Sequence, residues 1–437
     1  MLLAGGANGY AQLCTGSLGD PVVNITFGAG ANPGPPRAGG NTSYTYTTGC
    51  PGDGYYSILN SAGCNAWHHL ASDHTPGDVN GYMMLVNASY SPGVFFMQAV
   101  PGLCENTVYE FAAWILNFNT SGECEGSAIQ PNITFTIETS GGTVLQTYQS
   151  GDIPVTASPE WKQYGFYFST PAGVSDVVIR MVNNAPGGCG NDLALDDITF
   201  RPCGPLVTTT INGEFREINI CEEEPAVFEL KGKVAGSGSD IYYQWQESLD
   251  KGASWTDIPG ASSPVYSRLS GAPGEYRYRL TVSSGSNLSN SACRVSSDIA
   301  TVYVNPQPVP APANNGPLCE GEDLQLRAGE GAEFGWTGPE NFTSDLSSPL
   351  IAGVRKNREG AYRVKIISAK GCKAAGETVV VVHERPVAEA GNDTTICAGS
   401  RALLRGSGIA AAEFRWQPVS GLSSFRSANT LASPKDT

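Results

Sequence analysis

The chain contains a repeated pattern, and that repeat limits its fold more than any single motif does. A cysteine, a tryptophan in an alternating stretch, a Gly-x-Tyr stretch and a second cysteine follow one another twice. The first copy runs from Cys221 through Trp245 and Tyr276 to Cys293, the second from Cys319 through Trp336 and Tyr362 to Cys372. A third begins at Cys397 with Trp416. Each tryptophan closes an alternating triplet: Tyr243-Gln-Trp245, Phe334-Gly-Trp336 and Phe414-Arg-Trp416. A unit that recurs at this size is a supersecondary module stacked in series. Its physics predicts a small sandwich with one buried tryptophan as anchor and a disulfide at the rim. The expected bridges lie inside each copy, Cys221–Cys293 and Cys319–Cys372. The Trp-to-Tyr spacing of the second copy, applied to Trp416, runs just past Thr437, so the third copy is expected to be truncated.

The rest of the chain supports an all-β reading. Alternation of period two dominates, as in Ile133-Thr-Phe-Thr-Ile137 and Tyr276-Arg-Tyr-Arg-Leu-Thr-Val282, where every second side chain can face a core. The 53 glycines and 29 prolines supply the backbone angles that many tight turns need. A net charge of −15 leaves no basic stripe to displace counterions from phosphates, which argues against nucleic acid and anionic membranes as partners. No stretch is long enough to span a bilayer. Twelve cysteines without CxxC pairs point to disulfides in an oxidising compartment rather than to zinc ribbons, so a secreted, cell-surface protein is expected.

These features divide the chain. Residues 1–12 read as the tail of a secretion signal. Residues 13–204 form a cysteine- and aromatic-rich block, followed by repeat 1 (205–304), a proline-rich linker (305–317), repeat 2 (318–384) and a partial repeat 3 (385–437). Five prolines in residues 305–317 favour an extended, semi-rigid spacer of roughly 40 Å at most.

The repeats carry the phrases Ala390-Gly-Asn-Asp-Thr-Thr-Ile-Cys397 and Trp416-Gln-Pro-Val-Ser-Gly-Leu422. They resemble the immunoglobulin-like and PKD-like repeats of large Bacteroidetes-type surface proteins. They depart from antibody domains in that the second cysteine lies ten or so residues or more beyond the tyrosine. In the N-terminal block, Asp73-His-Thr75 precedes a Gly81-Tyr-Met83 strand, and Asp196-Asp-Ile198 closes the block before Cys203. In this order of motifs the block resembles the MAM family, an extracellular adhesion module, and jelly-roll carbohydrate-binding modules. The resemblance implies a jelly roll whose two ends lie side by side, so Cys14 and Cys203 are expected to meet. Cys50–Cys64 is a local bridge, and Cys124 and Cys189 sit in Gly-rich loops that can meet; Cys104 is left over.

Three groups of residues are candidates for chemistry. Adjacent carboxylates repel, so Asp196 and Asp197, helped by Asp192, suggest a structural calcium site; an Asx-capped turn is the alternative. Alternation lets only one of Asp196 and Asp197 face inward. His68, His69 and His74 with Asp73 and Asp78 are the one set resembling a zinc site, although the turn already has a structural explanation. Tyr55, Tyr56, Trp67, Tyr82, Tyr90 and Trp161 lie by turns or strand ends and are candidates to stack on sugar. Phe95, Phe96, Phe111 and Trp114 lie inside apolar strands and are expected in the core. No catalytic motif stands out. The expected function is non-catalytic: an adhesion or carbohydrate-binding jelly roll, with a glycan or cell-surface protein as ligand, displayed on spacer repeats. The alternative is an accessory region of a larger secreted hydrolase whose catalytic domain lies beyond Thr437.

Overall fold

The computed structural model describes residues 13–64, 67–222, 227–236, 240–285, 287–409 and 413–435, so the expected signal tail, 1–12, lies outside the described residues. The fold is all-β: the described helical turns are four short 3-10 segments. The chain groups into two compact units. One comprises Met1–Ile218, Val227–Leu269 and Glu275–Val302; the other comprises Asn219–Ala226, Ser270–Gly274 and Tyr303–Thr437.

The described residues of the N-terminal block form twelve strands. They are β1 (Ser17–Leu18), β2 (Val23–Ile25), β3 (Thr45–Tyr46), β4 (Tyr55–Leu59), β5 (Met83–Val86) and β6 (Gly93–Val100). Then follow β7 (Val108–Asn117), β8 (Asn132–Thr139), β9 (Val144–Asp152), β10 (Lys162–Ser169), β11 (Val177–Asn183) and β12 (Leu193–Gly204). An eight-stranded sheet has the order β10-β7-β12-β5-β4-β3, with β1 and β2 also on β12; β6-β11-β8-β9 make a four-stranded sheet. Alternation sends Tyr109, Phe111, Ala113 and Ile115 of β7 into a shared core with Phe96, Phe135 and Ile179 of the smaller sheet. The other face of the large sheet is half covered. Met83, Leu85, Leu116 and Ala194 pack under the loop that carries Leu70 and Trp67, while Glu110 and Trp114 follow on the same face of β7.

Strand β12 breaks its own alternation. Leu193 and Leu195 face the core, yet so do Ile198 and Phe200. A register slip against β7 between Asp196 and Thr199 makes this possible, with Asp197 in the left-handed region at φ 43°. A bulge of this kind re-aims side chains without ending the strand.

Repeat 1 contains β13 (Val207–Ile211), β14 (Glu217–Cys221), β15 (Val227–Val234), β16 (Ile241–Ser248) and β17 (Thr256–Asp257). It continues with β18 (Val265–Leu269), β19 (Gly274–Ser284), β20 (Val295–Ser296) and β21 (Ala300–Asn305). One sheet runs β13-β15-β18, the other β14-β21-β19-β16-β17 with β20 on β19. Trp245 is fully buried, and its indole N–H donates to the Ser263 carbonyl at 2.9 Å. Repeat 2 begins with β22 (Ala313–Asn314), β23 (Leu318–Cys319), β24 (Leu324–Arg327), β25 (Glu333–Gly338) and β26 (Phe342–Ser344). Its remaining strands are β27 (Leu350–Ile351), β28 (Gly360–Ile367), β29 (Lys373–Val380) and β30 (Val382–His383). Trp336 anchors its core with Leu324, Leu326, Tyr362 and Val364. In repeat 3 the described strands form two pairs, Val387–Glu389 with Ser407–Ile409 and Ala402–Arg405 with Asn429–Ala432.

The proline-rich segment is not a free spacer. The Gly329 amide donates to the Pro310 carbonyl at 2.7 Å, and β22 pairs with β24, so its second half belongs to the repeat 2 sandwich. Hydrogen bonding to the sandwich overrides the isolated polyproline preference.

The disulfides require a second correction. Cys14–Cys203, Cys50–Cys64 and Cys124–Cys189 are closed, but the bridges expected inside the repeats are not. Cys293 bonds Cys104 of the jelly roll, Cys221 bonds Cys372, and Cys319 and Cys397 are free and exposed. The reason is distance along a strand. Cys221 ends β14 beside the end of β21, where the Glu222 amide donates to the Asn305 carbonyl, whereas Cys293 precedes the start of that strand. A strand rises about 3.3 Å per residue and a disulfide needs Cα atoms within about 7 Å, so the two ends cannot meet. In repeat 2, Cys319 likewise lies opposite His383 while Cys372 precedes β29.

Jelly roll and repeat 1 share one unit and a dense junction. Besides Cys104–Cys293, the Tyr109 hydroxyl donates to the Ala292 carbonyl at 2.7 Å. The Arg279 guanidinium grips both Asp20 oxygens at 2.8 and 2.6 Å and lies 4.3 Å over Trp255. Replacing Cys104 and Cys293 together by serine is expected to lower the unfolding free energy by about 2–4 kcal/mol, measured by urea denaturation without reductant. An unchanged midpoint would show that the non-covalent contacts suffice.

Candidate functional site

The bulge in β12 builds the most structured polar site of the jelly roll. Asp196 is fully buried on the outer face of the large sheet, and Asp197 turns out beside it. Loop Asp73–Pro76 closes over both. The His74 amide donates to Asp196 Oδ2 at 2.9 Å, and the Asp197 amide donates to Asp196 Oδ1 at 2.8 Å. His74 Nδ1 lies 2.6 Å from Asp197 Oδ2, and the Thr75 hydroxyl donates to Asp197 Oδ1 at 2.7 Å. The imidazole stacks on Trp114 at 4.0 Å and meets the edge of Trp161 at 5.7 Å. Asp73 is buried as well, pressed against Gly81 so closely that a Cβ there would collide with its carboxylate.

Trp114 is thus not in the core. It is half-buried because its strand has two covered faces, and a tryptophan on the outer one meets a loop rather than the second sheet. Below it, a hollow of about 370 Å³ opens along the same face, lined by His74, Glu110, Trp114, Gln163, Asp197 and Arg201. Glu110 and Arg201 are direct cross-strand partners on β7 and β12. Burial pushes the Glu110 carboxyl up, opposed by the Cys14 amide, which donates to it at 2.6 Å, and by Arg201. Arg201 Nε is buried with no hydrogen-bond partner among the described residues.

A second polar hollow, about 280 Å³, lies between the Cys50–Cys64 and Cys124–Cys189 bridges and contains Asp53, Trp67, Glu123 and Asp192. The Trp67 indole N–H donates to Asp192 Oδ2 at 3.1 Å, and the Ala88 amide donates to Oδ1 at 3.0 Å. The Asn119 amide is satisfied when its nitrogen faces the carboxylates, donating to Asp192 at 3.1 Å and Glu123 at 3.0 Å. Tyr90, largely exposed, hydrogen-bonds Asp53.

Several expectations need revision. The carboxylates of Asp192, Asp196 and Asp197 do not converge as one calcium site: Asp192 is held by Trp67 and Ala88, the other two by the His74 loop. His68 is buried, His69 is exposed and His74 faces Asp197, so the zinc set is dispersed. No group of three potential metal-ligating side chains occurs among the described residues. Tyr56 and Tyr82 are core residues rather than contact candidates, whereas Tyr55 is exposed. Sequence reasoning missed Glu110, Gln163 and Arg201. For Glu110 and Arg201 the available signal was the polar register of otherwise apolar β7 and β12; Gln163 lies on β10 and carried none.

Two buried carboxyls give a pH signature. Burial, aided by Asp197 and Asp73 and opposed by the two amides, raises Asp196 from 3.8 to about 8; burial likewise raises Asp192 to about 7. Between pH 4 and 8 the folded chain therefore holds protons that the unfolded chain has released, so stability present at low pH is lost as pH rises. Urea midpoints are expected to fall across this window, and Asp196→Asn to flatten the fall. A profile rising with pH would contradict the assignment.

Comparison with known proteins yields one family match: residues 209–306 fit the family described as "Domain of unknown function (DUF8696)", which spans repeat 1. No curated protein matches the sequence. Among solved structures the chain is similar to the three N-terminal domains of the Highly Immunogenic Outer Capsid protein of bacteriophage RB49, with 13% identity, TM-score 0.25, and coverage of 53% of this chain and 86% of that one. The amphioxus IgVJ-C2 molecule aligns at 12% identity and TM-score 0.24, covering 38% and 99%. The fibronectin(III)-like modules of Clostridium thermocellum CbhA align at 11% identity and TM-score 0.21, covering 40% and 95%. At such values no functional statement rests on these alignments.

Proposed function

We propose that the jelly roll is an extracellular glycan-binding module. It docks a sugar without turnover in the outer-face hollow beside Trp114, and the immunoglobulin-like repeats carry it at the cell surface. The single observation behind this reading is the alignment of one indole with Glu110, Gln163 and Arg201 on neighbouring strands. A flat ring offers apolar contact to the face of a sugar at low entropic cost. A carboxylate, an amide and a guanidinium supply acceptors and forked donors for adjacent hydroxyls. All four sit on strands, where packing holds them in place. Five disulfides support an oxidising, extracellular setting. Binding rather than catalysis is favoured because the His74 ring is packed flat on Trp114 and its Nδ1 is taken up by Asp197.

A glycan array probed with the intact chain, followed by calorimetry on the best hit, tests this. Trp114→Ala and Arg201→Gln are each expected to weaken binding about tenfold or more, equivalent to roughly 1.4 kcal/mol. Tyr90→Ala, remote from this hollow, is expected to leave binding intact. Loss with Tyr90→Ala but not with Trp114→Ala would move the site to the second hollow. Retention of cell-surface binding with no glycan hit would favour a protein ligand.

A further inference from the structure

Among the described residues, the hollow beside Trp114 contains an arginine that has no counter-ion. In the compact unit that holds the jelly roll and most of repeat 1, Arg180, Arg216, Arg268, Arg277, Arg279 and Arg294 each hold a carboxylate at 2.6–3.0 Å. Arg37 bonds the Gln98 side chain at 3.1 Å and lies 4.2 Å over Phe96. Arg201 differs from all of them. Its Nε is buried without a hydrogen-bond partner, and among the described residues its guanidinium makes no ion pair.

The carboxylates nearby are engaged elsewhere. Glu110 is the direct partner of Arg201 across β7 and β12, but Glu110 Oε2 accepts the Cys14 amide at 2.6 Å, and burial pushes that carboxyl up. Asp197 has Oδ2 on His74 Nδ1 and Oδ1 on the Thr75 hydroxyl. A guanidinium presents five N–H donors in a planar fork and keeps its charge, and a buried donor left unmade is costly. Arg201 therefore keeps open for a ligand the fork that the other arginines have closed on protein groups.

Shape narrows the ligand further. Trp114 and Glu110 lie four residues apart on β7, a span of about 13 Å at the rise of a strand. Between those ends the floor includes short side chains, Thr199 on β12 and its partner Asn24 on β2. A trough of that length exceeds one pyranose ring, and it puts an apolar platform and a cation at opposite ends. We infer that the hollow takes an acidic sugar, a uronate-bearing disaccharide unit whose carboxylate closes on Arg201 while the neighbouring ring lies against Trp114. This rests on the glycan-binding reading and adds to it the charge and length of the ligand. A carboxylate matches the fork with two parallel hydrogen bonds. One guanidinium with Glu110 and Asp197 close by suits a singly charged group better than a dianionic phosphate, because like charges repel. Gln163, opposite Trp114 on β10, supplies an amide for hydroxyls of the first ring.

The test is calorimetry on the intact chain with pairs of sugars that differ in charge. The probes are uronate disaccharides of galacto, gluco and manno configuration, each beside its carboxyl-reduced twin. At least one uronate is expected to bind tenfold or more tighter than its neutral twin, with added salt eroding the gap. The comparison on the unaltered chain decides without any variant. Arg201→Gln is expected to bring the ratio near one, whereas Trp114→Ala weakens both members and keeps the ratio. Neutral twins bound as tightly as the uronates, or a preference that survives Arg201→Gln, would overturn the inference and leave the glycan reading standing. A chain that binds neither member of any pair nor any other glycan would overturn both.

Discussion

Strand β12 is the member on which the jelly roll depends. It pairs with β1, β2, β5 and β7, so every part of the large sheet is referred to it. A strand of twelve residues that kept strict alternation would have to choose between burying Leu193 and Leu195 and burying Ile198 and Phe200. One extra residue at Asp197 removes the choice. The same residue leaves two adjacent carboxylates on the outer face, a costly arrangement in the absence of donors. The His74 loop supplies those donors, and its ring then covers one side of Trp114. Core packing, loop placement and the shape of the outer-face hollow thus follow from a single backbone irregularity.

The cross-module bridges answer a different physical problem. Each repeat is a small sandwich whose core is anchored by one tryptophan and a few aliphatic side chains. Small cores leave a narrow margin over conformational entropy, and a bridge that closes a long loop constrains the unfolded chain more than one that closes a short loop. The bonds Cys104–Cys293 and Cys221–Cys372 span 189 and 151 residues, so they constrain far more of the unfolded chain than a bridge within one repeat would. At the junction of jelly roll and repeat 1 the covalent link is reinforced by Arg279 on Asp20, a bidentate pair with its guanidinium largely withdrawn from solvent. The jelly roll and most of repeat 1 accordingly fall within one compact unit.

Much of this is legible in the sequence. Period-two alternation identified the strands, and the repeated tryptophans marked the anchors of both complete sandwiches, since an indole in an alternating stretch has few other places to go. The paired aspartates of the closing strand were recognised as requiring compensation. Part of that compensation comes from hydrogen-bond donors of a loop more than a hundred residues away, which leave no mark beside Asp196 in the sequence. Trp114 was misplaced for a related reason: apolar residues on both faces of β7 look like core on both faces, and only the path of the covering loop distinguishes them. Tyr56 and Tyr82 looked like contact residues because turns flank them, yet their rings point inward.

The residue order alone determined the class of the fold and the use of disulfides, because alternation, turn chemistry and cysteine content are local properties carried by every short stretch. Which cysteines bond from one module to the next, and which polar side chains share a hollow, was decided only in three dimensions. Partners at a strand's far end are close in sequence and out of reach, whereas Cys104 and Cys293 are distant in sequence and brought together by packing.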